Sequence, residues 1–283
     1  MGEFASKIEK SRPMLKPRIV LHGNGGVGKT TFAAVKDSLT LPTEDGAGVL
    51  RVATLPQPNE WDDLIAMVRE AINDLKLPVG EREFMDSFTH FVIDSIDVAE
   101  PLVWQKVCDD GGKPNIEAFG YGKGYTLADA HWIKLFKGLD MIRRAGVTVI
   151  VIAHSAMTTV DDPVVGSYSR FAPKLHKRAN ALLVEWADIV AWLDIERRPV
   201  DRGEGPRKTH TTRSVGKRLL HLDEDGGGFQ AKNRYGLPSV LEIPKEDGFA
   251  VLEDAIAVAV GADQSGPAKR APKKKKKGVK TDG

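Results

Sequence analysis

Gly23, Asn24, Gly25, Gly26, Val27, Gly28, Lys29, Thr30 and Thr31 spell GNGGVGKTT, which fits the spacing G-x-x-x-x-G-K-[ST]. Glycines let the backbone curl until its N–H groups face phosphate oxygens, and the start of a following helix adds a favourable dipole. In that chemistry Lys29 meets the β- and γ-phosphates of ATP, and the Thr30 hydroxyl holds Mg2+. An apolar stretch before the loop and a helical one after it separate this site from a simple glycine turn.

A magnesium ion needs a carboxylate at a neighbouring strand end. FVIDS supplies Asp94 after an apolar strand. Water must also be activated. TEDG places Glu44 just past a second short strand, with Asp45 beside it as the rival, and a solvated turn carboxylate is the plainer reading. His154 ends the strongest apolar run, VTVIVIAH, either as a sensor of the γ-phosphate or as the cap of a buried strand.

Three further stretches carry cations. FGYGKGY interleaves Tyr121, Lys123 and Tyr125 with glycine, and SYSRFAPKLHKR gathers Arg170, Lys174, Lys177 and Arg178. Aromatic faces stack bases and lysines meet phosphates, so both are candidate surfaces for single-stranded DNA; packed tyrosines and a solvated helix face are the alternatives. In AKNRYGLP, Lys232 and Arg234 share one face of a short strand, as an anion-seeking pair or as lysine-blunted sheet edge.

The elements that must position these residues follow from periodicity. Buried strands are expected at 17–23, 38–42, 90–95, 147–154 and 188–195, and helices from Lys29, over 59–77, around 100–107, and over 127–145, 174–187 and 249–260. A polar loop is expected between residue 154 and the helix near 174, and short late strands at 218–222 and 229–234. Apolar strands alternating with helices imply an α/β fold: a mainly parallel sheet with helices on both faces and a short antiparallel edge.

The chain has 283 residues and a formal net charge of +2, unevenly spread. Residues 262–283 hold eight basic and two acidic side chains, leaving 33 basic against 37 acidic in the rest. The lysine-rich tail cannot build a core and is expected to be disordered, free to bind polyanions without sequence preference or merely to solubilise the chain. Cys108 is the only cysteine, which excludes a disulfide framework and a cysteine metal cluster and suits a reducing cytoplasm. Gly2 and Ser6 match the loose myristoylation pattern, but nothing else points to a membrane.

The order of P-loop, Glu44, Asp94, His154 and the late Lys-x-Arg strand resembles the RecA/DnaB/KaiC class of ATPases. TEDG, FGYGKGY, RFAPKLHKRANALLVEWAD and AKNRYGLP together are similar to small bacteriophage RecA-core ATPases, including RecA-core-only single-strand annealing proteins. The resemblance implies a RecA-like domain over 14–261, between a polar arm (1–13) and the basic tail. It implies that Lys232 and Arg234 act in trans on the ATP of a neighbouring subunit, and that the segment after His154 couples ATP to DNA. It further implies a homo-oligomer, ring or filament, working in an infected or lysogenic bacterial cytoplasm on single-stranded DNA, with a single-strand-binding protein as a candidate partner. Two other functions stay open: a helicase-like motor, and a nucleotide-regulated DNA-binding module without essential hydrolysis. A P-loop small-molecule kinase would need an arginine-rich lid, which the sequence does not offer.

Overall fold

Continuous apolar runs fix the centre of the sheet. In the computed structural model, which describes residues 15–44, 52–202, 209–224 and 228–264, β1 (Arg18–Gly23) is buried on both faces. The Lys29–Ala33 helix (α1) follows it, then β2 (Ser38–Pro42), β3 (Ala53–Thr54), α2 (Trp61–Leu75) and β4 (His90–Asp94). Next come α3 (Ile96–Gly111), α4 (Lys123–Arg144), β5 (Thr148–Asp162), β6 (Gly166–Pro173), α5 (Lys177–Trp186) and β7 (Ile189–Arg202). The chain closes with β8 (Thr209–His221), β9 (Lys232–Asn233), β10 (Val240–Ile243) and α6 (Gly248–Gln264). No described helix is long and apolar enough to cross a membrane.

The sheet runs β10-β8-β7-β1-β5-β4-β2-β3, parallel from β7 through β3 and antiparallel where β8, β10 and β9 join. Alternate residues of each central strand feed opposite cores. Val20, Phe91, Ile93, Val149 and Val151 pack under α2 to α5, whereas Ile19, Leu21, Val92, Ile150 and Ile152 pack against Phe32 of α1 and Phe249 and Leu252 of α6. The expected α/β architecture is therefore present.

Two differences concern function. The residues after His154 are not a loop: β5 continues to Asp162 and returns as β6, an antiparallel ribbon paired from Ser155↔Pro173 to Asp162↔Gly166. Exposure alternates along that extension, from Ala156 through Met157, Thr158 and Thr159 to Val160, so a period-two pattern persists after the buried run ends. The helix after the P-loop also has only five residues, so the aligned dipole behind the loop is small and the loop amides carry the anion-binding character. The helix α6 reaches Gln264, three residues past the expected domain limit of 261.

Candidate nucleotide site

Register brings the first-named residues to one edge. Gly23 pairs with His154 across β1 and β5, and Asp94 lies between Ile152 of β5 and Pro42 of β2. The loop turns through left-handed backbone at Gly26 (φ 77°) and Gly28 (φ 93°), conformations that favour glycine. Gly23 is required for a different reason, since any Cβ there would strike the carbonyl of Leu193.

The buried Lys29 ammonium donates to the carbonyls of Gly23 (2.9 Å) and Asn24 (3.0 Å), and burial lowers its pKa from the usual lysine value. Asp94 is buried, and desolvation raises its carboxyl while a hydrogen bond from the Thr30 hydroxyl opposes that rise. Thr30 and Asp94 thus present hard oxygen atoms side by side. Among the described residues no cluster of three or more His, Cys, Asp or Glu could hold a metal by itself. A magnesium ion that arrives with nucleotide phosphates and keeps most of its own waters suits such a sparse pair.

Glu44 is set by a zip between strand ends. Thr43 N–H donates to the Asp94 carbonyl (2.8 Å), the Thr43 hydroxyl donates to the Ser95 carbonyl (2.6 Å), and the same hydroxyl accepts Ser95 N–H (2.8 Å). The Ser95 hydroxyl then donates to Glu44 Oε1 at 3.2 Å. Glu44 Oε1 also lies 4.0 Å from His154 Nε2. The rival base Asp45 falls outside the described residues. Glu44, Asp94, Lys29, Thr30, Thr31, Gly26, Gly28, His154 and Arg218 line a cleft of about 310 Å³.

Sequence reasoning missed Asp97, His22 and Arg218. Asp97, in the first turn of α3, accepts both the backbone N–H and the imidazole Nδ1–H of His154. Its signal was a second aspartate three residues after Asp94. His22, fully buried before the loop, donates from Nε2 to the Gln230 carbonyl (2.7 Å) and so accepts the Ser155 hydroxyl at Nδ1 (2.9 Å). Burial depresses its pKa to about 4, and the neutral ring ties the P-loop strand to both the β5–β6 ribbon and the segment leading into β9. Arg218 enters from β8 with its guanidinium against Gly28, and no sequence motif marked it.

The remaining candidates divide by location. Lys232 and Arg234 lie at the opposite edge of the sheet: Lys232 pairs with Val190 and Asn233 with Ile189, at the start of β7. Through β7 these two positions are level with Val20 and Ile19 of β1, three and four residues, or about 10 to 13 Å along the strand, from Gly23. Lys232 donates to the carbonyls of Val184 (2.6 Å) and Glu185 (3.0 Å) at the end of α5, and Arg234 pairs with Asp188 at 3.2 Å. Arg18 and Arg143 also hold Asp188; although burial opposes it, these cations keep that carboxyl below the usual range.

Of the DNA candidates, Arg170 is paired with Glu224 (3.1 Å) and Arg178 with Asp129. Tyr125 bonds Glu117 and stacks on His176 with centroids 3.9 Å apart, so one ring face is already covered. Tyr121 is fully exposed, and Lys123, Lys174 and Lys177 are exposed. Lys174 N–H donates to the His154 carbonyl (2.8 Å), which joins this surface to the cleft.

Comparison with known proteins agrees with the loop. The AAA domain family matches residues 15–235. The chain belongs to that family. No curated protein matches it. A crystal structure of the RadB recombinase aligns over 83% of this chain and 90% of that one at 14% identity, with a TM-score of 0.44. An overlay of that quality says nothing of substrate or partner. As an AAA domain, the protein carries a P-loop of the nucleotide-binding kind at Gly23–Thr31.

Proposed function

We propose that this AAA domain is a RecA-like ATPase that acts on single-stranded DNA in phage recombination or annealing. One observation carries the reading: Lys29, Thr30, Asp94, Glu44 and His154, drawn from four separate segments, converge on one cleft beside the P-loop. Loop amides and Lys29 would bind the phosphates of ATP, and Mg2+ held by Thr30 and Asp94 would neutralise charge on the transferring phosphoryl group. Glu44, steadied by Ser95, is placed to take a proton from attacking water. His154 faces Glu44 and, through its own carbonyl, the cationic Tyr121–Lys123–Lys174–Lys177 surface, which supports its role as the sensor that links nucleotide to DNA.

Lys232 and Arg234 are bonded to the end of α5 and to Asp188 and do not line the cleft of their own P-loop, which favours service to a neighbouring subunit in a homo-oligomer. The deciding experiment measures ATP hydrolysis with and without single-stranded DNA, for the wild type and Lys29→Ala. Turnover that rises with DNA and vanishes in Lys29→Ala is expected. Turnover in a folded Lys29→Ala protein, or indifference to DNA, would sink the corresponding half of the reading. Unwinding of a forked duplex would favour the motor alternative, and annealing that ignores nucleotide would favour the binding module.

A further inference from the structure

Arg218 sits on β8, paired across the ladders with Ile195 of β7 and Ile243 of β10, and its side chain reaches the P-loop. Its Cζ lies 2.8 Å, and Nη1 and Nη2 each 2.9 Å, from the point a Cβ on Gly28 would occupy. With the carbon nearest and the two nitrogens equidistant, the plane of the guanidinium lies face-on to Gly28. Its N–H groups therefore project sideways along the cleft rather than into the loop. Any side chain at position 28 would displace it, so the glycine serves this contact as well as the left-handed turn.

Those donors are unclaimed. Arg18, Arg143, Arg170, Arg178 and Arg234 each rest on a carboxylate. Among the described residues Arg218 has no ion-pair or side-chain hydrogen-bond partner, although it is half-buried. A guanidinium keeps its charge at any ordinary pH and presents a planar fork that matches phosphate oxygens. It lines the same cleft as Gly26, Gly28, Lys29, Thr30 and Thr31. The fixed charges facing it there include Glu44 and Asp94, neither of which it reaches with a hydrogen bond.

The geometry points to Arg218 as a phosphate-binding residue for the nucleotide, supplied by the same subunit that carries the P-loop. The assignment rests on the nucleotide-site reading above and deepens it. The cleft then holds two cations of its own, Lys29 from the loop and Arg218 from the antiparallel edge, before any neighbour contributes. β8 gains a purpose as well, since a strand of the antiparallel ladder, rather than a lid, brings the second cation.

Equilibrium binding of a fluorescent ATP analogue in Mg2+ tests this with Arg218→Gln, Arg218→Lys and Lys29→Ala, with melting curves to confirm folding. Arg218→Gln should weaken binding by about tenfold to a hundredfold, the range of a charge-assisted contact, and Arg218→Lys should recover part of it. Mixing Arg218→Gln with Lys29→Ala should restore nothing, because both cations serve one loop; restoration would put Arg218 on a neighbour's nucleotide and overturn the same-subunit assignment. Unchanged affinity in Arg218→Gln, beside a wild type whose binding requires Lys29, overturns this proposal and leaves the nucleotide site standing. A wild type that binds no ATP removes both.

Discussion

Asp97 grips His154 at two points, its Oδ1 accepting the backbone N–H at 2.8 Å and its Oδ2 accepting imidazole Nδ1–H at 3.0 Å. The Nδ1 proton is thereby committed, and Nε2 is left facing Glu44 across 4.0 Å. A histidine held by both main chain and ring has little freedom to rotate, so under the proposed function a change at the phosphates would pass on through β5 and Lys174 rather than by turning of the ring. This relationship makes Asp97 a positioning residue.

Asp97→Asn should therefore separate binding from turnover. The amide still accepts from the His154 backbone, but its NH2 group now faces Nδ1 and selects the other tautomer. ATP affinity and KM should hold while kcat falls on the order of a hundredfold, the scale of a positioned proton-handling group. Loss of KM and kcat together with a lower melting temperature would assign Asp97 a purely structural role.

Glu100 offers a test by pH. It is buried beneath His176, whose backbone N–H lies 3.0 Å from both carboxylate oxygens. Burial lifts its pKa from 4.5 to about 7, against the lowering effect of the His176 bond and with Asp97 adding to the rise. Between those values the folded protein keeps a proton that the unfolded chain has released, so this group's contribution to stability falls as pH rises through that window and is level above it. Glu100→Gln, which keeps an acceptor for His176, should lose less melting temperature than the wild type between about pH 5 and pH 8. An identical drop in both proteins would refute the assignment.

The fold was legible in the sequence because its central strands are buried on both faces and read as continuous apolar runs, down to the bounds of Ser38–Pro42. The edges were not. β10 (VLEI) has alternating exposure in so short a stretch that no period stands out, and the β5–β6 ribbon hid its start inside the stronger signal of Val147–Ala153. In the site, Lys29, Thr30 and Asp94 came with a spacing that physics restricts. Arg218 did not, because its meeting with Gly28 depends on strand order far downstream, which no local pattern encodes.

The exposed lysines carry a prediction about salt. Arg170 and Arg178 already spend their charge on Glu224 and Asp129, whereas Lys123, Lys174 and Lys177 form no ion pair among the described residues. Replacing the three lysines with glutamate should weaken single-stranded DNA binding and flatten its salt dependence by up to about two in the log–log slope, roughly 0.7 for each phosphate contact removed. Arg178→Ala should leave the slope unchanged. Titrations at several salt concentrations decide it, and an unaltered slope in the triple variant would move the DNA elsewhere.

The last prediction turns on the far edge of the sheet. Arg234 touches Asp188, and Lys232 caps the end of α5, at the edge opposite the P-loop. A structural role alone predicts that Arg234→Ala leaves turnover intact, with only a small loss of stability since Arg18 and Arg143 still hold Asp188. A trans role predicts the reverse: ATP binding persists, because Lys29 and the loop amides remain, while hydrolysis drops on the order of a thousandfold or more. Mixing Arg234→Ala with Lys29→Ala separates the two. Some interfaces then join an intact P-loop to an intact arginine, and activity should rise above that of either variant alone. The same mixture made with Arg218→Gln in place of Arg234→Ala should gain nothing over Arg218→Gln alone, so the pair of experiments assigns each arginine to its own or its neighbour's nucleotide. If co-assembled Arg234→Ala and Lys29→Ala recover nothing, Arg234 belongs to the Asp188 cluster and not to a neighbour's phosphates.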